Sequence, residues 1–254
     1  HDISEARALV HLVMNVVWDE KTRDLPKHYS RPEFPSFDGL EDLPKISQDA
    51  KDYAHELGFE LSKLSLIDAG YEVGIVYTQL LPSDYRSENG IYYTPPAVTN
   101  RLMEQVEKHG FNWLDVSVID PACGGGAFLS PVAIRMKNAL IDAGFSNDKI
   151  ITHITSHLKG YEIDPFSGWL SQTLFEMTLL HEIADTGIKI PKIVRIGNTL
   201  KLNKNETFDL VIGNPPYAKV KLDSELKSLY GRSVFGHANL YGLFTDKALK
   251  LLKP

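Results

Sequence analysis

Asn214, Pro215, Pro216 and Tyr217 end an apolar run, "FDLVIGNPPY", with a tetrapeptide that cannot continue a strand. Two consecutive prolines fix φ at both positions, so the Asn214 side chain and the Pro215 carbonyl are held at one separation and in one direction. Two hydrogen-bond acceptors then face one point. A planar amine such as that of a nucleobase offers two N–H donors to such a pair, and Tyr217 adds an aromatic face on which a ring can stack. A plain turn needs neither the Asn nor the Tyr.

Two further stretches carry chemistry. "DPACGGGAFL", Asp120 to Leu129, follows an apolar run and opens a helix near Phe128. Glycines there let the backbone approach a ligand and leave helix N–H groups free. A dinucleotide fingerprint requires Gly-x-Gly-x-x-Gly; Gly124 and Gly126 supply the first two, but Leu129 stands at the third, which weakens a nicotinamide reading. "GYEID" ends another run with Glu162 and Asp164, and an acidic residue at such a place accepts hydrogen bonds from ribose hydroxyls. Glu162 is the candidate for that role, while Asp164 serves equally well as a helix cap.

These residues need a scaffold, and the chain supplies two patterns. Residues 1–88 read as a helical region: "SEARALVHLVMNVVWDE" spaces apolar residues by three and four with Ser4 as its expected cap. "LPKHYSRPEFPSFDGLEDLP" follows as an expected extended surface connection before helical periodicity resumes. Residues 89–254 read as an α/β domain, with "VSVID", "LKGYEID", "KIVRIGN" and "FDLVIGN" as strands alternating with helices. Alternation of this kind predicts a doubly wound, mostly parallel sheet whose ligands sit beyond the carboxyl ends of the strands, where the four runs place Asp120, Glu162 with Asp164, Asn198 and Asn214.

Composition narrows the class. With 43% hydrophobic and 24% charged residues the chain is an ordinary globular one, and no stretch approaches the roughly 18 apolar residues of a membrane helix. A cytoplasmic protein without a membrane partner is expected. One cysteine, Cys123, excludes an internal disulfide framework and reads as a packed side chain rather than a nucleophile. His153 and His157 lie four apart without an acidic signature beside them, so no metal site is expected. A net charge of -6 argues against a broad basic nucleic-acid surface, although Lys201, Lys204, Lys219 and Lys221 flank the candidate loops as either phosphate contacts or a solvated face. The sequence opens on His1-Asp2 and stops at "LLKP", and it is expected to be a piece of a longer protein.

"GIYYTPPAVTNRLM", "DPACGGGAFL", "GYEID", "GNTL", "FDLVIGNPPY" and "NLYGLFTDKALKLLKP" occur in an order that resembles the γ-group S-adenosylmethionine-dependent adenine-N6 DNA methyltransferases of bacterial restriction-modification systems, over roughly residues 90 to 254. The resemblance implies a Rossmann-like methyltransferase fold and S-adenosylmethionine as cofactor. Tyr93, Thr94 and Pro95 would close over its methionine part, with Asp120, Ala122 and Gly124 beneath. Glu162, with Ile163 beside it, would hold the ribose. Asn198, where many relatives carry Asp, and Thr199 would border the adenine of the cofactor, and Phe244 would pack on it from the far side. Asn214, Pro215, Pro216 and Tyr217 would receive an adenine flipped out of double-stranded DNA, and a recognition domain would lie outside this chain. Competing readings are a protein-glutamine or RNA methyltransferase and a non-catalytic cofactor-binding subunit of a defence complex.

Overall fold

Four short parallel strands position everything else in the computed structural model, which describes residues 2–89, 91, 93–202, 206–218, 222–231 and 239–254. They are β1 (Val118–Asp120), β2 (Leu158–Glu162), β3 (Val194–Ile196) and β4 (Leu210–Val211), in the order β3-β2-β1-β4. Val118 pairs with Leu158 on one side and Leu210 on the other, so β1 lies inside the sheet. The chain winds outward from β1 to β3 and then returns to lay β4 on the opposite side. That reversal opens a crevice between the carboxyl ends of β1 and β4, where doubly wound sheets bind ligands. Asp120 and Asn214 stand at the two edges of that crevice. Beyond β4, Phe208 pairs with Leu252 in one isolated parallel bridge.

Helices precede and cover the sheet. α1 (Ile3–Arg23), α2 (Gln48–Ser62), α3 (Leu66–Leu80), α4 (Ser83–Asn89) and α5 (Pro96–Lys108) come first; α6 (Leu129–Asp142) and α7 (Asn147–His157) join β1 to β2; α8 (Pro165–Met177) and α9 (Leu180–Thr186) join β2 to β3; α10 (Ser224–Tyr230) and α11 (Leu240–Leu251) follow β4. Side chains alternate across each strand. Val118, Leu158 and Val194 therefore share a core with Val132 and Met136 of α6, Ile150 and Ile154 of α7 and Phe175 of α8. Ile119 and Tyr161 point the other way, toward Phe208 and Leu251. The expected doubly wound parallel sheet, preceded by a helical region, is the fold observed. No helix among the described residues is long and apolar enough to cross a membrane.

The helical region rests on α8. Val10, Val13, Met14, Val17 and Trp18 of α1 share a second core with Tyr77 of α3 and with Phe166, Leu170 and Leu174 of α8. Since Phe175 meanwhile faces the sheet, α8 is buried nearly all round, as a helix apolar on every side must be. Two local expectations are corrected. Asp2, not Ser4, caps α1, because its carboxylate accepts the Ser4 amide at 3.0 Å. The proline-rich segment is more than a surface connection: Phe37 is buried and meets Phe166 edge-on at 5.4 Å, and the indoles of Trp18 and Trp169 donate to the Pro32 and Pro35 carbonyls. Proline-rich backbone has few N–H groups to satisfy, so its free carbonyls suit buried indole donors.

Close approach of α1 and α2 depends on Gly58, where an added Cβ would stand 2.7 Å from Val16 Cβ and 2.9 Å from the Val13 carbonyl oxygen. Helix propensity alone would make Gly58→Ala stabilising by about 1 kcal/mol. Overpacking against a backbone atom costs about 1–3 kcal/mol, so a net loss is expected, read as a lower urea midpoint with an unchanged slope. A raised midpoint would show that the two helices have room to spare.

Candidate active site

Asp120 ends β1 with its side chain 1% exposed. One carboxylate oxygen accepts the Ala122 amide at 3.1 Å, and the other has no partner among the described residues. Burial pushes its pKa up to about 8, the Ala122 amide opposes the rise, and the nearby Glu162 adds to it. Asp120 also lies against Gly213, where any side chain would collide with the carboxylate. The glycine before Asn214 is thus what lets the end of β4 approach the end of β1.

Glu162 ends β2 and organises the loop after β1. Its Oε2 accepts the Gly124 amide at 2.9 Å, while Oε1 accepts the amides of Ile163 and Asp164, both at 2.9 Å. Gly124 and Gly126 hold the turn with φ of 51° and 85°, a region only glycine enters freely. Burial raises the Glu162 pKa, the backbone amides oppose it, and Asp164 adds to it. An ionised carboxylate accepts about four hydrogen bonds, so three amides leave Oε2 one more. Ile163 presents an exposed apolar side chain beside it. Asp164 is the cap of α8, accepting the Ser167 amide at 2.9 Å and its hydroxyl at 2.8 Å; its other oxygen pairs with Arg7 at 2.6 Å.

The loop after β3 is drawn onto the same crevice. Asn198 caps a short 3-10 turn by accepting the Leu200 amide at 3.0 Å, which leaves its amide nitrogen to donate. Thr199 donates its hydroxyl to the Pro121 carbonyl at 2.7 Å, which ties this loop to the one after β1. Leu200, Leu243 and Phe244 then form a small apolar cluster against which Ala122 packs. Phe244 is 9% exposed, most of its ring being covered by that cluster.

Asn214 donates from Nδ2 to the Thr94 hydroxyl at 3.3 Å, which leaves Oδ1 as an acceptor. This contact joins "NPPY" to the "TPP" segment, whose Pro95 caps α5. Tyr93 points its ring between Gly74 of α3 and Gly125 of the loop, and a side chain at either glycine would overlap it. Pro215 and Pro216 are half-buried, whereas Tyr217 is 63% exposed and stacks on Tyr241, with centroids 5.5 Å apart and planes 15° apart. The sequence reading missed Tyr241 and Gly213, although both lie inside motifs it quoted, and it missed Arg7, for which no local signal exists.

The remaining candidates among the described residues make ordinary structural contacts. Cys123 is buried. His153 and His157 stack on each other at 4.2 Å, and no group of three metal-ligating side chains occurs among the described residues. Lys201 is paired with Asp223 and Glu225, both at 2.9 Å; Lys204, Lys219 and Lys221 lie outside the described residues.

The N-6 DNA Methylase family profile matches residues 71–231. The Type II methyltransferase M.BstVI of Geobacillus stearothermophilus is 25% identical over 183 residues, which cover 65% of this chain and 31% of that protein. The Type I restriction enzyme EcoEI methylase subunit of Escherichia coli is 29% identical over 156 residues, 59% of this chain and 28% of that one. The chain therefore spans about a third or less of these relatives. Among solved structures, the ATP-dependent Type ISP restriction-modification enzyme LlaBIII bound to DNA aligns with a TM-score of 0.62 and 16% identity, over 97% of this chain and 20% of that one. A Listeria monocytogenes protein described as a class I S-adenosylmethionine-dependent methyltransferase aligns with a TM-score of 0.55 and 15% identity, over 97% and 71%. At such identities the structural likeness is one of fold.

The raised pKa of Asp120 fixes a sign. A carboxyl group that titrates near 3.8 when unfolded and near 8 when folded gives stability that is complete below about pH 4 and is lost as pH rises toward 8. Each pH unit in that window costs about 1.4 kcal/mol. Asp120→Asn, which stays neutral, should gain on the parent by a few kcal/mol between pH 5 and pH 8 in urea denaturation. A stability difference independent of pH would mean that Asp120 is ionised throughout.

Proposed function

The chain belongs to the N-6 DNA Methylase family, and on that premise we propose that it carries the cofactor pocket and acceptor-base platform of an adenine-N6 DNA methyltransferase from a restriction-modification system. The observation that carries this reading is the Asn214 amide, whose Nδ2 donates to Thr94 so that Oδ1 remains an acceptor, at the crevice where the strand order reverses; the Pro215 carbonyl is the second acceptor of the proposed pair. A flipped adenine presents two N–H donors to that pair. Their acceptance opposes delocalisation of the nitrogen lone pair into the ring and strengthens as positive charge develops on nitrogen. Tyr217 offers an exposed face whose stacking offsets part of the few kcal/mol that base flipping costs.

The pocket residues fit S-adenosylmethionine. Asp120 has a buried oxygen without a partner, Glu162 retains capacity for one hydroxyl, and exposed Ile163 offers an apolar surface to a ring. Thr94, Ala122, Asn198, Thr199 and Phe244 complete the lining, with Tyr93, Pro95 and Gly124 shaping the loops that bear them. Bound there, S-adenosylmethionine supplies an electrophilic methyl group on sulfur. The chain's part is orientation, and no side chain is asked to bond covalently to the base. Double-stranded DNA is the proposed partner, with sequence read by a domain outside this chain.

Asn214→Ala should lower transfer of labelled methyl groups to adenine-containing duplex DNA by on the order of 10²–10³-fold while leaving affinity for S-adenosylhomocysteine essentially unchanged. Activity close to that of the parent would remove Asn214 from the mechanism. Labelling of protein or RNA in place of DNA would instead favour the other planar-amine acceptors.

A further inference from the structure

Arg7 is the fifth residue of α1, far in sequence from any motif of the site, yet its guanidinium reaches Asp164 Oδ1 at 2.6 Å across 157 residues. It also donates to the hydroxyl of Tyr77 on α3 and to that of Tyr85 on α4, both at 3.3 Å. Asp164 is 6% exposed and faces two ways: its side chain meets Arg7 and Ser167, and its backbone amide donates to Glu162 Oε1 at 2.9 Å. One residue separates the two carboxylates.

We propose that Arg7 is a positioning residue for cofactor binding, acting through Asp164 to hold Glu162 ionised and in place. This rests on the reading of Glu162 as the ribose acceptor. The physical need is clear from the groups around Glu162: Asp164 beside it, Asp120 and Cys123 from the loop after β1, Tyr85 on α4 and Tyr93 before α5. Every one of these is neutral or anionic. An ionised Asp164 so close makes a second negative charge on Glu162 costly, and a protonated Glu162 loses acceptor capacity. A guanidinium on Asp164 cancels that charge with a short, charge-assisted contact. The planar fork also meets two tyrosines at once, which an ammonium cannot do from one position. The helical region thereby acts on Glu162 through Asp164, the cap of α8.

The test is S-adenosylhomocysteine affinity by calorimetry between pH 5.5 and 8.5, on the intact chain and three variants. Arg7→Met should weaken binding about tenfold near the acid end and shift the binding profile to higher pH, because Asp164 left without its cation raises the pKa of the Glu162 carboxyl further. Arg7→Lys should recover most of that shift. Arg7→Met combined with Asp164→Asn, which removes both charges and keeps an amide to cap α8, should return the profile to that of the parent. A parent that binds, together with an Arg7→Met variant whose profile is unmoved at any thermal stability, overturns the proposal and leaves the pocket reading standing. A double variant no better than Arg7→Met overturns it too, because loss of packing alone is not repaired by removing Asp164's charge. A parent that fails to bind overturns the pocket reading and this proposal with it.

Discussion

Two acidic side chains at the ends of neighbouring strands set the terms for the rest of the molecule. Asp120 and Glu162 end β1 and β2, and each is desolvated enough to raise its pKa. Such groups persist only where the backbone answers them. Glu162 is answered by three amides, and one of these, from Gly124, fixes the path of the glycine-rich turn. Asp120 is answered by one amide, and its spare oxygen has no partner among the described residues. Glu162 therefore shapes the glycine-rich turn, and Asp120 keeps an open acceptor in the crevice.

That arrangement explains why a helical region belongs beside the sheet. α8 is capped by Asp164, two residues after Glu162, and one side of the helix is the floor on which α1 and α3 rest. Apolar packing seats the helices, and the Arg7 contact aligns them at the one place where α8 meets the pocket. Burial of an ion pair is weak evidence for stability, since desolvation offsets much of the attraction. Beside it Phe166 packs against Phe37 edge-on at 5.4 Å and against Tyr77 at 4.9 Å.

Much of this was legible in the sequence because it depends on local rules. Strand-ending polar residues, the glycine turn and the order of alternating elements follow from side-chain type at short range. Asp120, Ala122, Gly124, Glu162, Thr199 and Asn214 accordingly fall together around one crevice. The contacts that escaped sequence reading are those made between segments far apart in the chain. Arg7 meets Asp164 only once α1 has docked, and the stacking of Tyr241 on Tyr217 needs α11 in place. Phe37 became core because α8 offered it an aromatic floor, a fact no composition of a proline-rich stretch conveys.

The ring of Tyr93, seated between Gly74 and Gly125, makes three distant positions one unit of inheritance. A larger residue at either glycine is tolerable only if position 93 shrinks, and a smaller residue at 93 leaves a hole that neither glycine alone can fill without backbone movement. Substitutions at these sites should therefore be strongly epistatic, each harmful alone and acceptable in company. Drift at the segment before α5 is chained to drift in α3, so that segment and the helix behind it can change only together.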